Sequence, residues 1–247
     1  MIICWWSGGI TSAVACKQAI DLYDARPVYI ETGSHHPDTI RFKKDCELWY
    51  GKEIETIQTS KYSDHFDVVS KDKYINGPAG ARCTTVLKRW VRERWEKTQD
   101  ITGYVWGFEM GKKEEDRAAR IQLTQPKYKH YFPLIDAGLT KPDCIEIVRK
   151  AGIEIPTMYK LGFNNNNCIG CVKGGMAYWN MIRIHFPESF DKMAKLEREL
   201  GRSCLKSVFL DELSPTAGRG QPPLVQECGA TGEGCESEKS RAFYNRE

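Results

Sequence analysis

Short apolar runs alternate with amphipathic stretches along the first two thirds of the chain. Runs rich in β-branched and aromatic residues predict strands at residues 1–6, 27–30, 54–57 and 104–108. Between the first three of these, residues 11–22 and 39–49 repeat apolar side chains at helical spacing. Because strands alternate with helices, the pattern predicts an α/β fold, a Rossmann-like parallel sheet with helices on both faces.

The pattern changes towards the C-terminal end. Residues 61–81 are polar and contain Gly77, Pro78 and Gly80, so we expect a long loop there. Further helices are predicted at residues 84–96, 141–151, 176–185 and 187–201. Periodicity ends near residue 214. We therefore divide the chain into a nucleotide-binding α/β domain, residues 1–160, and a helical, cysteine-bearing C-terminal subdomain, residues 161–247.

A Gly-Gly turn joins the first predicted strand to the first predicted helix. Gly8 and Gly9 allow the backbone to approach an anion closely, and the N–H groups that open the helix point towards it. Ser7 and Ser12 flank the turn as hydroxyl donors. Lys17 lies too far along for the loop to be a Gly-Lys-[Ser/Thr] P-loop. Phosphate binding and a simple turn are the two interpretations.

The ten cysteines of this 247-residue chain say more about its function than its net charge of +3 does. That charge permits a nucleic-acid partner without requiring one. The sequence shows neither an apolar run near membrane-spanning length nor a signal peptide, so we expect a cytoplasmic protein with no membrane contact. In a reducing compartment, spaced cysteines indicate metal ligands or reactive thiols. Four of them are expected to be small core residues: Cys4, Cys16, Cys46 and Cys144.

Cys168 and Cys171 form a Cys-x-x-Cys unit, which supplies two ligands to a metal centre. Cys228 and Cys235, in a Gly-rich tail, are our first choice for the other two ligands. Cys83 and Cys204 are the alternatives. The spacing serves zinc and a [4Fe–4S] cluster equally, and a catalytic persulfide or simple packing remain alternatives for the pair.

Several motifs together resemble the phosphoadenosine-phosphosulfate (PAPS) reductase family of the PP-loop, or adenine-nucleotide α-hydrolase, superfamily. The loop at residues 7–12 is similar to the pyrophosphate loop Ser-Gly-Gly-x-x-Ser of that superfamily. The other similar segments are residues 31–39, 82–88, 107–120 and 131–136, with 159–163 behind the last of them. They occur in a consistent order over residues 1–185.

Departures from the motifs separate the classes within the family. Thioredoxin-dependent reductases end in Glu-Cys-Gly-[Ile/Leu]-His, whereas Ala230 and Thr231 follow Glu227-Cys228-Gly229 here. Iron–sulfur reductases carry a Cys-Cys pair, whereas Arg82 stands beside Cys83. The chain therefore looks nearer to the ATP pyrophosphatase members, including those of DNA phosphorothioation systems.

The resemblance implies ATP as cofactor, with release of AMP and pyrophosphate. The residues that would hold the nucleotide are Ser7, Gly8, Gly9, Thr11, Ser12, Glu31 and Gly33. Thr11 occupies a position where the family loop often has Asp, so Glu31 or Asp38 is the candidate for Mg²⁺. Gly33 would admit the adenosine close to the backbone. The ends of the first two strands would then face one cleft.

The residues that we expect to be catalytic are two cysteines, Cys168 and Cys171, and two arginines, Arg117 and Arg120. Arg117 and Arg120, one helical turn apart, suit phosphate contacts through their forked donors. A surface pair is their alternative. His35 and His36 have two interpretations, a contact with substrate or nucleotide and an exposed loop pair. The basic helix at residues 84–96 likewise either contacts phosphate or nucleic acid or simply presents a solvated face.

The resemblance also implies partners. The acceptor would be nucleic acid, first DNA and alternatively tRNA, and a cysteine desulfurase would donate sulfur. The alternative activity is a PAPS or APS reductase that releases sulfite. A non-enzymatic nucleotide-sensing subunit is the third hypothesis.

Overall fold

A parallel sheet forms the centre of the first part of the molecule. The computed structural model describes residues 1–77 and 80–225. Within them the sheet has five strands in the order β3-β2-β1-β6-β7, all parallel, which confirms the predicted α/β fold. Its strands are β1 (Ile2–Trp5), β2 (Arg26–Ile30), β3 (Glu55–Ile57), β6 (Gly103–Val105) and β7 (Lys129–Tyr131). A short antiparallel hairpin pairs β4 (Asn76–Gly77) with β5 (Gly80–Ala81).

Helices connect the strands and continue beyond them. Those of the first 150 residues are α1 (Ile10–Tyr23), α2 (Asp38–Tyr50), α3 (His65–Asp72), α4 (Trp90–Glu96), α5 (Lys112–Thr124), α6 (Pro133–Asp136) and α7 (Lys141–Lys150). The later ones are α8 (Thr157–Lys160), α9 (Met176–His185) and α10 (Pro187–Leu200). A π-helical segment, Thr84–Arg89, leads directly into α4, and a 3₁₀ turn spans Leu210–Glu212. The predicted helices agree with these within one or two residues.

The strand β1 is apolar along its whole length because both faces of a central parallel strand are covered. Helix α1 packs against α7 and α2 over the same core. The Tyr50 hydroxyl donates to the carbonyl oxygen of Ala13 at 2.7 Å, which fixes α2 to α1. The glycine loop at residues 7–9 is therefore held between two rigid elements.

The prediction of a long loop at residues 61–81 was wrong. This segment contains helix α3 and the hairpin β4–β5. Asp64 caps α3 by accepting a hydrogen bond from the Asp67 N–H at 2.7 Å. Phe66 and Val68 are buried on its inner face. An eight-residue helix presents too few apolar repeats to stand out from its charged neighbours.

The four cysteines assigned to packing, Cys4, Cys16, Cys46 and Cys144, are all fully buried in one core. Burial raises the pKa of Cys46 and of Cys144 to about 12, so both thiols stay protonated near neutral pH. Cys4 and Cys16 are joined as a disulfide between β1 and α1. The sequence did not predict this pair, which brackets the glycine loop.

The described chain divides into two compact units. The first comprises Met1–Ile30, Pro37–Ile57 and Arg94–Lys160. The second comprises Glu31–His36, Gln58–Glu93 and the chain from residue 161 onward. The second unit thus includes two segments that the sequence analysis placed in the first domain. Among the described helices, none is both long and apolar enough to cross a membrane.

Candidate functional site

In the first unit, the glycine loop is closed by a network of hydroxyl groups. The Ser12 hydroxyl donates to the Gly9 carbonyl oxygen at 2.8 Å and accepts from the Ser7 N–H at 3.1 Å. The Ser7 hydroxyl in turn donates to Ser12 Oγ at 2.9 Å. Gly8 has φ of 79°, a left-handed conformation that favours glycine. These contacts turn the chain from β1 into the N-terminus of α1.

Hydroxyl oxygens from three residues converge over Gly9. A Cβ atom built at Gly9 would lie 3.3 Å from the Tyr159 hydroxyl, 3.6 Å from Ser7 Oγ and 4.0 Å from Ser12 Oγ. The Tyr159 hydroxyl also accepts the Ile10 N–H at 3.2 Å. Gly9 thus brings three hydroxyl groups together at a helix N-terminus, whose partial positive charge is favourable to an anion.

Gly107, which follows β6, packs directly on the start of α1. A Cβ atom there would lie 2.6 Å from Ser12 Cα and 2.8 Å from Ser12 N, closer than folded chains allow. Gly107 therefore sets the distance between the sheet and the helix that carries the loop. The sequence analysis named it in a family motif without assigning this role.

The helix that follows the loop begins without acidic side chains. No acidic side chain lies in the first turn of α1, all of which the structure describes, and Thr11 is half-buried there. The Asp38 carboxylate binds Arg41 at 2.7 and 3.0 Å and accepts the Thr157 N–H at 2.9 Å. The Arg41 guanidinium thereby holds the pKa of Asp38 well below its usual range. The Asp38 carboxylate therefore holds Arg41 and the start of α8 in place, and its role as a magnesium ligand remains a prediction.

The two candidate arginines on α5 have different surroundings. The Arg117 guanidinium lies 4.2 Å from the centre of the Phe108 ring and pairs with Glu114 at 3.2 Å. Arg120 is exposed. A phosphate contact by either residue remains a prediction. The contacts of Arg117 with Phe108 and Glu114 indicate that it also helps to stabilise the fold.

In the second unit, the segment Glu31–His36 forms a tight turn. Glu31 Oε1 accepts the N–H groups of Thr32 and Gly33, both at 2.7 Å. Gly33 has φ of 66°, and a Cβ atom there would lie 1.8 Å from the Ser63 carbonyl oxygen. The structure thus gives Gly33 a packing reason to be glycine, independent of the adenosine contact expected from the resemblance.

This turn contacts the Cys-x-x-Cys segment. Thr32 Oγ1 lies 3.7 Å from Cys168 Sγ, within hydrogen-bonding range of a sulfur atom. The Ser34 carbonyl oxygen accepts the Ile169 N–H at 2.9 Å. The candidate nucleotide residues Glu31 and Gly33 therefore belong to the same small structure as Cys168.

A buried tyrosine closes the Cys-x-x-Cys turn. The Tyr178 hydroxyl donates to the Cys168 carbonyl oxygen at 2.6 Å and accepts the Cys171 N–H at 2.9 Å. Gly174 makes room for its ring, because a Cβ atom there would lie 2.0 Å from Tyr178 Cδ1. The sequence analysis did not find Tyr178, and its place two residues into helix α9 carried no signal.

His65 joins the turn at residues 31–36 to the same segment. Its Nε2 lies 3.0 Å from the Gly170 carbonyl oxygen and its Nδ1 lies 2.9 Å from Ser34 Oγ. A carbonyl oxygen can only accept, so Nε2 carries the proton and Nδ1 accepts from the Ser34 hydroxyl. Burial lowers the pKa of His65 to about 4, so the ring is neutral near pH 7. Burial likewise lowers the pKa of His35, one of the two candidate histidines.

The remaining candidate ligands are placed as follows. Cys83 and Cys204 lie in the second unit with Cys168 and Cys171, whereas Cys228 and Cys235 fall outside the described residues. Burial, the Glu197 carboxylate, and the thiols of Cys171 and Cys83 raise the pKa of Cys204. In residues 1–77 and 80–225, no three His, Cys, Asp or Glu side chains are grouped so as to hold one metal ion.

The chain is similar in fold to phosphoadenylyl-sulfate (PAPS) reductase from Candida auris, solved as a phosphate complex. The TM-score is 0.51 at 11% sequence identity, over 68% of this chain and 80% of that chain, so the likeness concerns the fold. No curated protein matches the chain. A family model for the phosphoadenosine phosphosulfate reductase domain matches residues 1–177, well over half of the sequence. The chain belongs to the phosphoadenosine phosphosulfate reductase domain family.

Proposed function

We propose that this protein binds ATP at the glycine loop and splits it into AMP and pyrophosphate to support sulfur transfer to nucleic acid. The observation that carries the proposal is the convergence of the Ser7, Ser12 and Tyr159 hydroxyls over Gly9. Hydroxyl and backbone donors at a helix N-terminus stabilise a departing pyrophosphate. DNA is the first candidate acceptor, for phosphorothioate modification, and tRNA is the second.

The proposed reaction begins at the α-phosphorus of ATP. An acceptor oxygen forms a bond to that phosphorus while its bond to the bridging oxygen of the β-phosphate breaks, and pyrophosphate leaves. Hydrosulfide then displaces AMP, so that sulfur replaces the acceptor oxygen. A cysteine desulfurase persulfide, cleaved by a thiol reductant, supplies the hydrosulfide. Mg²⁺ carried by ATP would neutralise phosphate charge, and Thr11 would offer it a hydroxyl oxygen instead of a carboxylate.

Sulfur transfer is tested with the full chain under anaerobic conditions. The mixture contains ATP, Mg²⁺, a cysteine desulfurase, ³⁵S-labelled cysteine, dithiothreitol, and either duplex DNA or tRNA. We expect label in one nucleic acid, formed in step with AMP, because adenylylation activates the acceptor for attack by sulfur. Omission of ATP is the control and should remove the label. AMP formation without label in either acceptor would contradict the proposed sulfur transfer.

A reductase activity is the second candidate. The segment Glu227-Cys228-Gly229 matches part of the nucleophile segment of thioredoxin-dependent PAPS reductases, and it lies outside the described residues. In that case the glycine loop would bind the sulfonucleotide. A cysteine thiolate would attack its sulfur and displace the nucleotide phosphate, and a second thiol would then form a disulfide with that cysteine and release sulfite. Sulfite formed from PAPS or APS with thioredoxin distinguishes this activity from ATP cleavage.

A further inference from the structure

Helix α8 in the first unit is a single turn of four residues, so its place depends on contacts made at its start. A helix this short has almost no internal hydrogen bonds to set its direction. The Thr157 N–H, the first of α8, donates to the Asp38 carboxylate at 2.9 Å. Asp38 begins helix α2, 119 residues earlier in the chain. One carboxylate therefore fixes the start of α8 to the start of α2.

Arg41, on the same helix, strengthens this connection. Its guanidinium binds both carboxylate oxygens of Asp38, at 2.7 and 3.0 Å. The same planar group also donates to the carbonyl oxygens of Glu154 at 3.1 Å and Ile155 at 3.5 Å. Asp38 and Arg41, which we call the α2 clamp, thus hold both the start of α8 and the segment that leads into it.

Tyr159 carries the effect of the α2 clamp to the glycine loop. It lies two residues after Thr157, in the same turn of α8. Its hydroxyl accepts the Ile10 N–H at 3.2 Å and lies 3.3 Å from the position of a Cβ atom at Gly9. A hydrogen bond of this length would be broken by a displacement of α8 by about 0.5 Å. The clamp therefore sets the position of this hydroxyl at the N-terminus of α1.

We propose that Asp38 and Arg41 are positioning residues for phosphate binding, because through α8 they hold the Tyr159 hydroxyl at the glycine loop. The proposal rests on the proposed binding of ATP at that loop. It gives Asp38 a contribution to nucleotide affinity that acts through Tyr159 and not through Mg²⁺. Both Asp38 oxygens are bound by Arg41, and one of them also by Thr157. Such supporting contacts fix the groups that touch a ligand.

The first measurement needs no nucleotide. Hydrogen exchange of the Ile10 N–H, followed by NMR in the full chain, should be at least about tenfold faster in Tyr159→Phe, which lacks the accepting oxygen. Asp38→Asn should also speed this exchange, because it weakens the hold on α8. Combining the two substitutions should have no further effect, since both act through the same hydroxyl.

The second measurement is the affinity for ATP by isothermal titration, once with Mg²⁺ and once with EDTA. Tyr159→Phe and Asp38→Asn should each weaken binding by about tenfold, the effect of one hydrogen bond to a charged group. The double variant should bind no more weakly than Tyr159→Phe, and the losses should be equal in both buffers. The matched control is Asp143→Asn, which changes the carboxylate that accepts the Thr140 N–H at 2.9 Å at the start of α7. It should match the wild type in both measurements.

Three results would overturn the proposal: unchanged Ile10 exchange in Asp38→Asn, additive losses of affinity in the double variant, or a loss in Asp38→Asn that requires Mg²⁺. If circular dichroism shows that Asp38→Asn is unfolded, Arg41→Lys replaces it, because lysine keeps the charge but cannot form the forked contact. A wild type that binds no ATP would contradict the proposed function, and the exchange rates would still decide whether the clamp positions Tyr159.

Discussion

Replacing Gly9 with valine is expected to abolish nucleotide binding while leaving the fold intact. The added side chain would lie against the hydroxyls of Ser7, Ser12 and Tyr159 and keep a phosphate away from them. The backbone dihedral angles at Gly9, φ of −91° and ψ of 158°, are allowed for valine, and the closest atom to its Cβ, at 3.3 Å, is the hydroxyl at the end of the Tyr159 side chain. Losing two hydrogen bonds to a charged phosphate, each worth about 1.5–3 kcal/mol, weakens affinity at least about 100-fold. Isothermal titration with ATP measures this change.

The matched control is Gly175→Val. Gly175 caps helix α9 in a similar extended conformation, with φ of −78° and ψ of 180°. A Cβ atom there would lie 3.6 Å from the Leu224 carbonyl oxygen, an ordinary contact. This variant should bind ATP like the wild type. If Gly9→Val also retains its affinity, the phosphates do not lie over Gly9 and the assignment of the loop is wrong.

The second large effect is on stability, in the variant Gly33→Ala. Its Cβ atom would lie 1.8 Å from the Ser63 carbonyl oxygen, so the backbone of the turn must move. The left-handed conformation costs about 1–2 kcal/mol and the steric overlap about 1–3 kcal/mol more. We therefore expect the free energy of unfolding to fall by about 3 kcal/mol, measured by urea denaturation.

Gly51→Ala isolates the steric part of that loss. Gly51, at the C-terminus of α2, has nearly the same φ, 64°, and no described atom lies within 4 Å of the position of its Cβ. Alanine there should cost about 1 kcal/mol. Equal losses in the two variants would show that Ser63 does not press on the turn as the structure has it.

The sequence predicted the centre of the sheet because its inner strands are short apolar runs bounded by polar or glycine-containing turns. Residues 2–5 and 27–30 are apolar on both faces, and a Gly-Gly turn follows the first of these strands. Helix α3 was missed because its buried face includes the polar residue His65 beside Phe66, and this face is covered by the Cys-x-x-Cys turn, which lies far away in the sequence.

The positions of Cys83 and Cys204 relative to the Cys-x-x-Cys unit could not be predicted from sequence spacing. Cys204 stands 33 residues after Cys171, and Cys83 stands 85 residues before Cys168, so sequence distance carried no information about their placement. The Cys204 segment is joined to the segment after Cys171 by one partly buried amide, Asn76, which donates to the carbonyl oxygens of Val172 and Cys204. Such side chain to backbone contacts leave no periodic trace in the sequence. The disulfide between Cys4 and Cys16 was not predicted either, because a buried cysteine in an apolar stretch has the same sequence pattern whether or not it is paired.

The central claim is that the glycine loop holds the phosphates of ATP so that the bond between the α and β phosphates breaks. The most direct measurement is the identity of the products from α-³²P-labelled ATP and Mg²⁺, with and without DNA or tRNA, beside a parallel reaction containing PAPS and thioredoxin. We predict AMP and pyrophosphate, increased by one nucleic acid, and no sulfite from PAPS. Sulfite from PAPS together with unreacted ATP would contradict this account and identify the protein as a sulfonucleotide reductase.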